Sequence, residues 1–195
     1  MKRLTLTTLA AAGIALLASS AQAVPIIYSA TLSGAAESPP NLSTATGSAV
    51  LTIDAAAHTM LVAVNFSGLS ANDTGAHIHC CTTSPFTGNA PVATPAPAFP
   101  GFPLGVAAGT YTQSFDLTLA ASYLPAFLTS SGGTAMLAEL ALEAGITAHK
   151  AYFNIHTSTV PSGEIRGFLV PEPATLGFMA TGLAGLALAR RRSRR

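Results

Sequence analysis

The sequence predicts an all-β domain, an antiparallel, Greek-key-like β-sandwich or barrel of about seven or more strands with one short helix, set between N- and C-terminal hydrophobic signal helices. Three observations carry this reading. Runs in which apolar residues fall at every second position recur through the body, turn-forming Pro and Gly residues separate them, and a single stretch shifts to helical spacing.

In the stretch from Ile26 to Asp54, IIYSATLSGAAESPPNLSTATGSAVLTID, Tyr28, Ala30 and Leu32 and then Ala49, Leu51 and Ile53 alternate with smaller polar residues. Two half-buried strands joined by a Pro-Gly loop account for that pattern. Asp54 to His58 connects to MLVAVNFSGL, a third strand rich in β-branched and aromatic residues. Ser70 to Thr74 is a turn, and GAHIHCC follows as a fourth strand. Between Thr82 and Gly109 lie Pro85, Pro91, Pro95, Pro97, Pro100 and Pro103. Proline cannot donate to a strand ladder, so this segment is expected to be a long surface loop. TYTQSFDLTL resumes the alternation. Within SYLPAFLTSSGGTAMLAELALEAG, Met136, Leu137, Leu140 and Ala144 recur at helical spacing between Gly133 and Gly145, which predicts the one helix. HKAYFNIHT and GEIRGFLV close the body as two strands around a turn. The expected core contains Leu32, Leu51, Ile53, Val62, Val64, Ile78, Phe115, Phe153 and Leu169.

The two ends read as targeting segments. Residues 1–23 begin with Lys2 and Arg3, pass through an apolar run from Leu9 to Leu17, and finish on Ala21-Gln22-Ala23. That order is a secretory signal, with cleavage by signal peptidase expected after Ala23. Residues 171–195 open with Pro171-Glu172-Pro173, continue through an apolar stretch from Thr175 to Ala189, and end with five arginines in the last six positions. The basic end is expected to stay in the cytoplasm. This tail resembles the PEP-CTERM sorting signal of Gram-negative bacteria. The resemblance implies an exosortase-type transpeptidase as partner, transient anchoring in the inner membrane, and then delivery to the cell envelope or extracellular matrix. A plain tail anchor is the alternative.

Between these signals, residues 24–170 are enough for one domain with a real core. Once the signal residues are set aside, only Lys150 and Arg166 oppose seven carboxylates, so the body carries a net charge of −5. Two isolated cations make no phosphate-tracking patch, which excludes nucleic-acid binding.

The run TGAHIHCCTT concentrates metal-ligating residue types. On a strand, His77 and His79 face the same way with Cα atoms about 6.5 Å apart, close enough for both imidazoles to reach one ion. Cys81 joins them if the strand continues, and His156 offers a third imidazole from another strand. Copper and zinc both accept such donors, with Cys81 or His149 the candidate fourth ligand. The arrangement is similar to the copper site of Cu/Zn superoxide dismutases, although no Asp accompanies the histidines to build a separate zinc site. The competing reading is structural, with the imidazoles bonded to backbone carbonyls or to Glu164 and Arg166. Glu164 and Arg166 are themselves expected to form an ion pair on one strand face. Cys80 and Cys81 leave three states open: a vicinal disulfide, free or metal-bound thiols, or an intermolecular bridge.

No nucleophile elbow, phosphate loop, zinc-protease helix or dinucleotide fingerprint occurs in the body, which moves the expectation away from an enzyme. The series YSATLSGAAESPP, TGSAVLTID, VNFSGL, TGAHIH, AYFNIHT and SGEIRGFL is similar to the CHRD domain over Tyr28 to Val170. That resemblance implies an extracellular β-domain and no particular reaction. Two functions follow as expectations: a non-enzymatic exported domain with a structural or adhesive role among envelope or exopolysaccharide components, or a metal-binding or redox protein centred on His77, His79 and His156.

Overall fold

The structure, a computed structural model, describes residues 24–172. The cleavage residues Ala21 and Ala23, together with Pro173 and the apolar tail beyond it, lie outside the described residues. Eight strands form: β1 (Ile26–Ser33), β2 (Thr46–Asp54), β3 (Thr59–Ser67), β4 (Asp73–His79), β5 (Gly109–Asp116), β6 (Tyr152–Thr157), β7 (Ile165–Phe168) and β8 (Val170–Pro171). They pair antiparallel in the order β4-β6-β7-β1-β2-β3-β5, with β8 also on β1. The sheet curls into a half-barrel, and the predicted all-β class holds. The seven strands read from alternation are present, and β8 is a two-residue addition too short to leave a periodic signal.

Alternation decides which side chains enter the core. In β3, Met60, Val62, Val64 and Phe66 are buried while the residues between them are half-buried or exposed. All nine expected core residues are buried, and they share one cluster with Tyr28, Ala76, Ile155 and Ile165. Each large apolar side chain enclosed in this way contributes roughly 1.5–3 kcal/mol.

Three elements depart from expectation. β4 ends at His79 rather than running through the cysteines. Cys80 and Cys81 are joined in a vicinal disulfide, and adjacent side chains that diverge on a strand can be joined only where the extended pairing stops.

The Pro-rich segment is not a detached surface loop. Ala93 and Phe99 donate to the carbonyls of Ile78 and Ala76 at 2.8 and 3.1 Å, and the carbonyls of Pro91 and Pro97 accept from Cys80 and Ala76, both at 3.0 Å. The segment therefore covers the free edge of β4, and Ala93, Thr94 and Phe99 are buried beneath it. Proline lacks a donor but keeps its acceptor, and the residues between the prolines supply the donors.

The expected helix is α2 (Ala135–Thr147), and a six-residue turn of helix, α1 (Pro125–Ser130), precedes it. Thr134 caps α2 by accepting from the Leu137 amide. α2 covers the predicted stretch but packs with another face inward. It buries Ala138, Glu139, Leu142, Gly145 and Ile146, and leaves Met136 at 64% and Leu140 at 57% exposure. The apolar residues of this helix form two stripes, and the stripe carrying Ala138 and Gly145 allows the closer approach. At Gly145 a Cβ would collide with both disulfide sulfurs, so the glycine is where α2 meets the end of β4.

Gly145→Ala is accordingly expected to destabilise the domain by about 1–3 kcal/mol through overpacking, even though alanine favours a helix by close to 1 kcal/mol. Thermal unfolding of the two forms checks this. An unchanged or higher melting temperature would mean that the contact is slack.

Candidate functional site

The site is set by how β4 lies on β6. Gly75 is opposite His156, His77 opposite Asn154 and His79 opposite Tyr152, with a register shift between Asp73 and Gly75. Ala76 and Ile78 therefore point into the core with Phe153 and Ile155. His77, His79 and His156 project together from the other face. The His77 ring centroid is 4.7 Å from that of His79 and 4.7 Å from that of His156, and the His79 and His156 centroids are 5.8 Å apart.

Each imidazole has one nitrogen fixed by a backbone carbonyl. The Nδ1 atoms of His77, His79 and His156 lie 2.9, 2.7 and 2.9 Å from the carbonyl oxygens of Pro97, Ala90 and Pro161. Burial lowers the pKa of His77 to about 3, helped by the neighbouring His79 and His156. Burial lowers His79 to about 4 and also lowers His156. The imidazoles are thus neutral at neutral pH. A neutral imidazole has a single N–H, and since a carbonyl can only accept, that proton sits on Nδ1. Each Nε2 then presents a lone pair. Those of His77 and His156 are 3.0 Å apart, and one ring nitrogen from each of the three histidines lies within 4.8 Å of the others. Nε2 of His79 is buried with no hydrogen-bond partner among the described residues.

The surroundings hold the rings in place. Tyr152 stacks on His79 at 4.7 Å and accepts from the Ala90 amide through its hydroxyl. The Arg166 guanidinium lies 4.5 Å from the Tyr152 ring centroid. Arg166 donates to the carbonyls of Ala36 and Gly88 and to Asn89 Oδ1. It is also 3.8 Å from the Glu37 carboxylate. Burial nevertheless pushes Glu37 up to about 7, outweighing the attraction of Arg166. Gly75 leaves room for this packing, since a Cβ there would press on the Pro97 carbonyl and sit 3.7 Å from the His156 ring.

Several expected roles fall elsewhere. Cys81 is not a fourth ligand, because its sulfur is bonded to Cys80 and lies 3.8 Å from the Ala141 carbonyl on α2. His149 does not complete the group either. It stacks on Phe86 at 4.6 Å and is outside the histidine cluster. Glu164 and Arg166 form no ion pair. Glu164 is fully buried and accepts from Thr157, Ser43 and Ser70. Burial raises its pKa, but those hydrogen bonds together bring it below the usual value. Gly75 and the carbonyls of Ala90, Pro97 and Pro161 escaped the sequence reading, because a backbone acceptor leaves no residue-type signal. Chemically, the arrangement is three convergent imidazole lone pairs, a donor set that zinc and copper accept.

A model of the CHRD domain family matches residues 28–169, and a model of the PEP-CTERM protein-sorting motif matches residues 169–193. The chain belongs to the CHRD domain family. Its PEP-CTERM motif implies processing by exosortase and export to the cell envelope. No curated protein and no solved structure matches the chain.

The buried histidines carry a pH signature. Their folded pKa values lie below the unfolded value of about 6.5, so below that pH the unfolded chain takes up protons that the folded chain does not, and stability falls toward pH 4. Glu37, Asp73 and Glu143, raised by burial, act in the opposite direction. Comparison with a His77→Gln/His79→Gln variant removes their effect. In EDTA, the parent protein should lose stability between pH 6.5 and 4 more steeply than the variant. Parallel pH profiles from denaturant melts would contradict the neutral assignment.

Proposed function

We propose that the protein is a non-enzymatic β-domain which exosortase processing delivers to the envelope or exopolysaccharide matrix of a Gram-negative bacterium, where it has a structural or adhesive role. The carrying observation is that the CHRD match ends at residue 169 and the sorting match begins there, so the motif joins the folded body without a linker. The backbone at the junction supports the same reading. β8 ends the sheet at Pro171, paired with Tyr28 of β1, and the Glu172 amide donates to the Ile27 carbonyl at 2.9 Å. Removal of the segment that follows would leave every strand of the sheet in place.

The body itself suits a matrix component. Its sequence is rich in Thr, Ser and Ala, and its charge is sparse and negative. A body of this composition is solvated without strong attraction to polyanions. Among the described residues, no helix is long and apolar enough to cross a membrane. In this reading the tail holds the protein at the envelope before processing, and matrix contacts hold it afterwards.

Intact-mass measurement and fractionation in an exosortase-bearing host test this. The protein should be recovered outside the inner membrane with its mass reduced by the apolar-arginine tail. A Pro171→Ala/Glu172→Ala/Pro173→Ala variant should keep the tail and remain in the inner membrane. Recovery of the tail on the parent protein in the mature envelope fraction would defeat the sorting step, and free loss of the processed protein to the medium would defeat the matrix role.

A further inference from the structure

We propose that His77, His79 and His156 bind a single divalent transition ion, copper or zinc, through their Nε2 atoms. This goes beyond sorting and does not depend on it, since the site lies wholly within the folded body.

The argument is one of unsatisfied acceptors. Carbonyls fix the N–H of all three imidazoles at Nδ1. Two Nε2 lone pairs then face each other at 3.0 Å, which is hydrogen-bonding distance with no hydrogen to share. The third, on His79, is buried and has no partner among the described residues. Buried acceptors left in this state are destabilising. A proton taken up between His77 and His156 would satisfy two of them and leave the third orphaned. A cation with an affinity for nitrogen satisfies all three.

The spacing fits such an ion. Tetrahedral coordination at about 2.0–2.1 Å separates ligand nitrogens by roughly 3.3 Å. The Nε2 atoms of His77 and His156 are 3.0 Å apart and a ring nitrogen of His79 lies within 4.8 Å of the other two rings, so modest ring rotations bring the three to that value. The carbonyl partners correspond to the outer shell that fixes tautomer and ring orientation in imidazole metal sites. Neutral imidazole suits copper and zinc, whereas magnesium and calcium prefer oxygen donors. Three protein ligands leave one coordination position for an external ligand. His79 and His156 are only half-buried, which gives the ion a way in.

Titration of the protein purified from its host, whichever fraction holds it, stripped with EDTA and then offered Zn(II) or Cu(II), tests the site. One ion should bind per chain and raise the melting temperature, and the Cu(II) spin-resonance spectrum should report three imidazole nitrogens. His77→Ala, His79→Ala and His156→Ala should each lose most of the affinity. Gly75→Ala, which displaces the Pro97 carbonyl, should weaken it by roughly 10–100-fold. Cys80→Ser/Cys81→Ser should bind as the parent does. The proposal is overturned if the folded parent takes up neither ion, if the histidine variants bind as tightly as the parent, or if fewer than three nitrogens coordinate. The spectrum of the parent settles the matter even where a variant fails to fold. Metal loss with normal tail removal would break this inference alone, and the reverse result would break only the sorting reading.

Discussion

The register of β4 against β6 is the constraint on which the rest depends. Strand side chains alternate with a strict period of two, so sliding one strand by a single residue moves every side chain to the opposite face. With His77 opposite Asn154, the histidines of β4 share a face with His156 while Ala76 and Ile78 share the core with Phe153 and Ile155. One step of slip would bury two imidazoles among aromatic and aliphatic side chains and expose Ile78. Asp73 pairs with Thr157 in the neighbouring register, so the shift between Asp73 and Gly75 is where the chain makes the adjustment. Core packing and site assembly are therefore one event. The apolar residues that drive β4 inward are the same residues that aim the histidines outward.

A correct face does not by itself orient three rings. The orienting groups come from two irregular segments, each held by its own anchors. Residues 91–99 run along the free edge of β4 and place the carbonyl of Pro97 beside His77, while Thr94 accepts from the Ile78 amide at 2.9 Å. On the other side, the turn between β6 and β7 places the carbonyl of Pro161 beside His156. That turn is tied down by Glu164, whose carboxylate gathers Thr157, Ser43 and Ser70, and by Asn41, which donates to the carbonyls of Gly163 and Glu164. Gly163 adopts a φ of 125°, a conformation that glycine reaches without steric penalty. Loops packed in this way act as fixed walls, in contrast to ordinary mobile surface connections.

What the sequence disclosed follows from which signals are periodic. The seven long strands, the nine core residues and the existence of α2 were legible, because alternation and helical spacing are local properties of the chain. His77, His79 and His156 were legible as a group from residue type and parity. The inward face of α2 was not, because Met136 and Leu140 look as apolar as Leu142 and Ile146, and the close fit of Gly145 against the disulfide sulfurs is a contact between distant segments. The pairing of Glu164 with Arg166 failed for a related reason. Nearby opposite charges suggest an ion pair, but Glu37, more than a hundred residues away in sequence, is the carboxylate beside Arg166, and hydroxyls from three segments satisfy Glu164. The carbonyls of Ala90, Pro97 and Pro161 are main-chain atoms, and no residue code announces them.

The cysteines decide what kind of donor set remains. Had β4 continued in extended form, Cys81 would have shared the face of His77 and His79 and added a soft sulfur to the group. Bonding to Cys80 ends the strand and turns both sulfurs toward Gly145 of α2, so the one bond closes the β4–α2 contact and removes thiolate from the site. Disulfides persist in oxidising compartments outside the cytoplasm, which is where the PEP-CTERM motif directs this chain. Export and site chemistry are then linked through the same dipeptide. Before oxidation, an extended Cys81 would place one thiol on the face of the imidazoles, with Cys80 pointing to the opposite face. Afterwards, only nitrogen faces the cluster, and the imidazole lone pairs are the sole soft-to-borderline donors that His77, His79 and His156 present together.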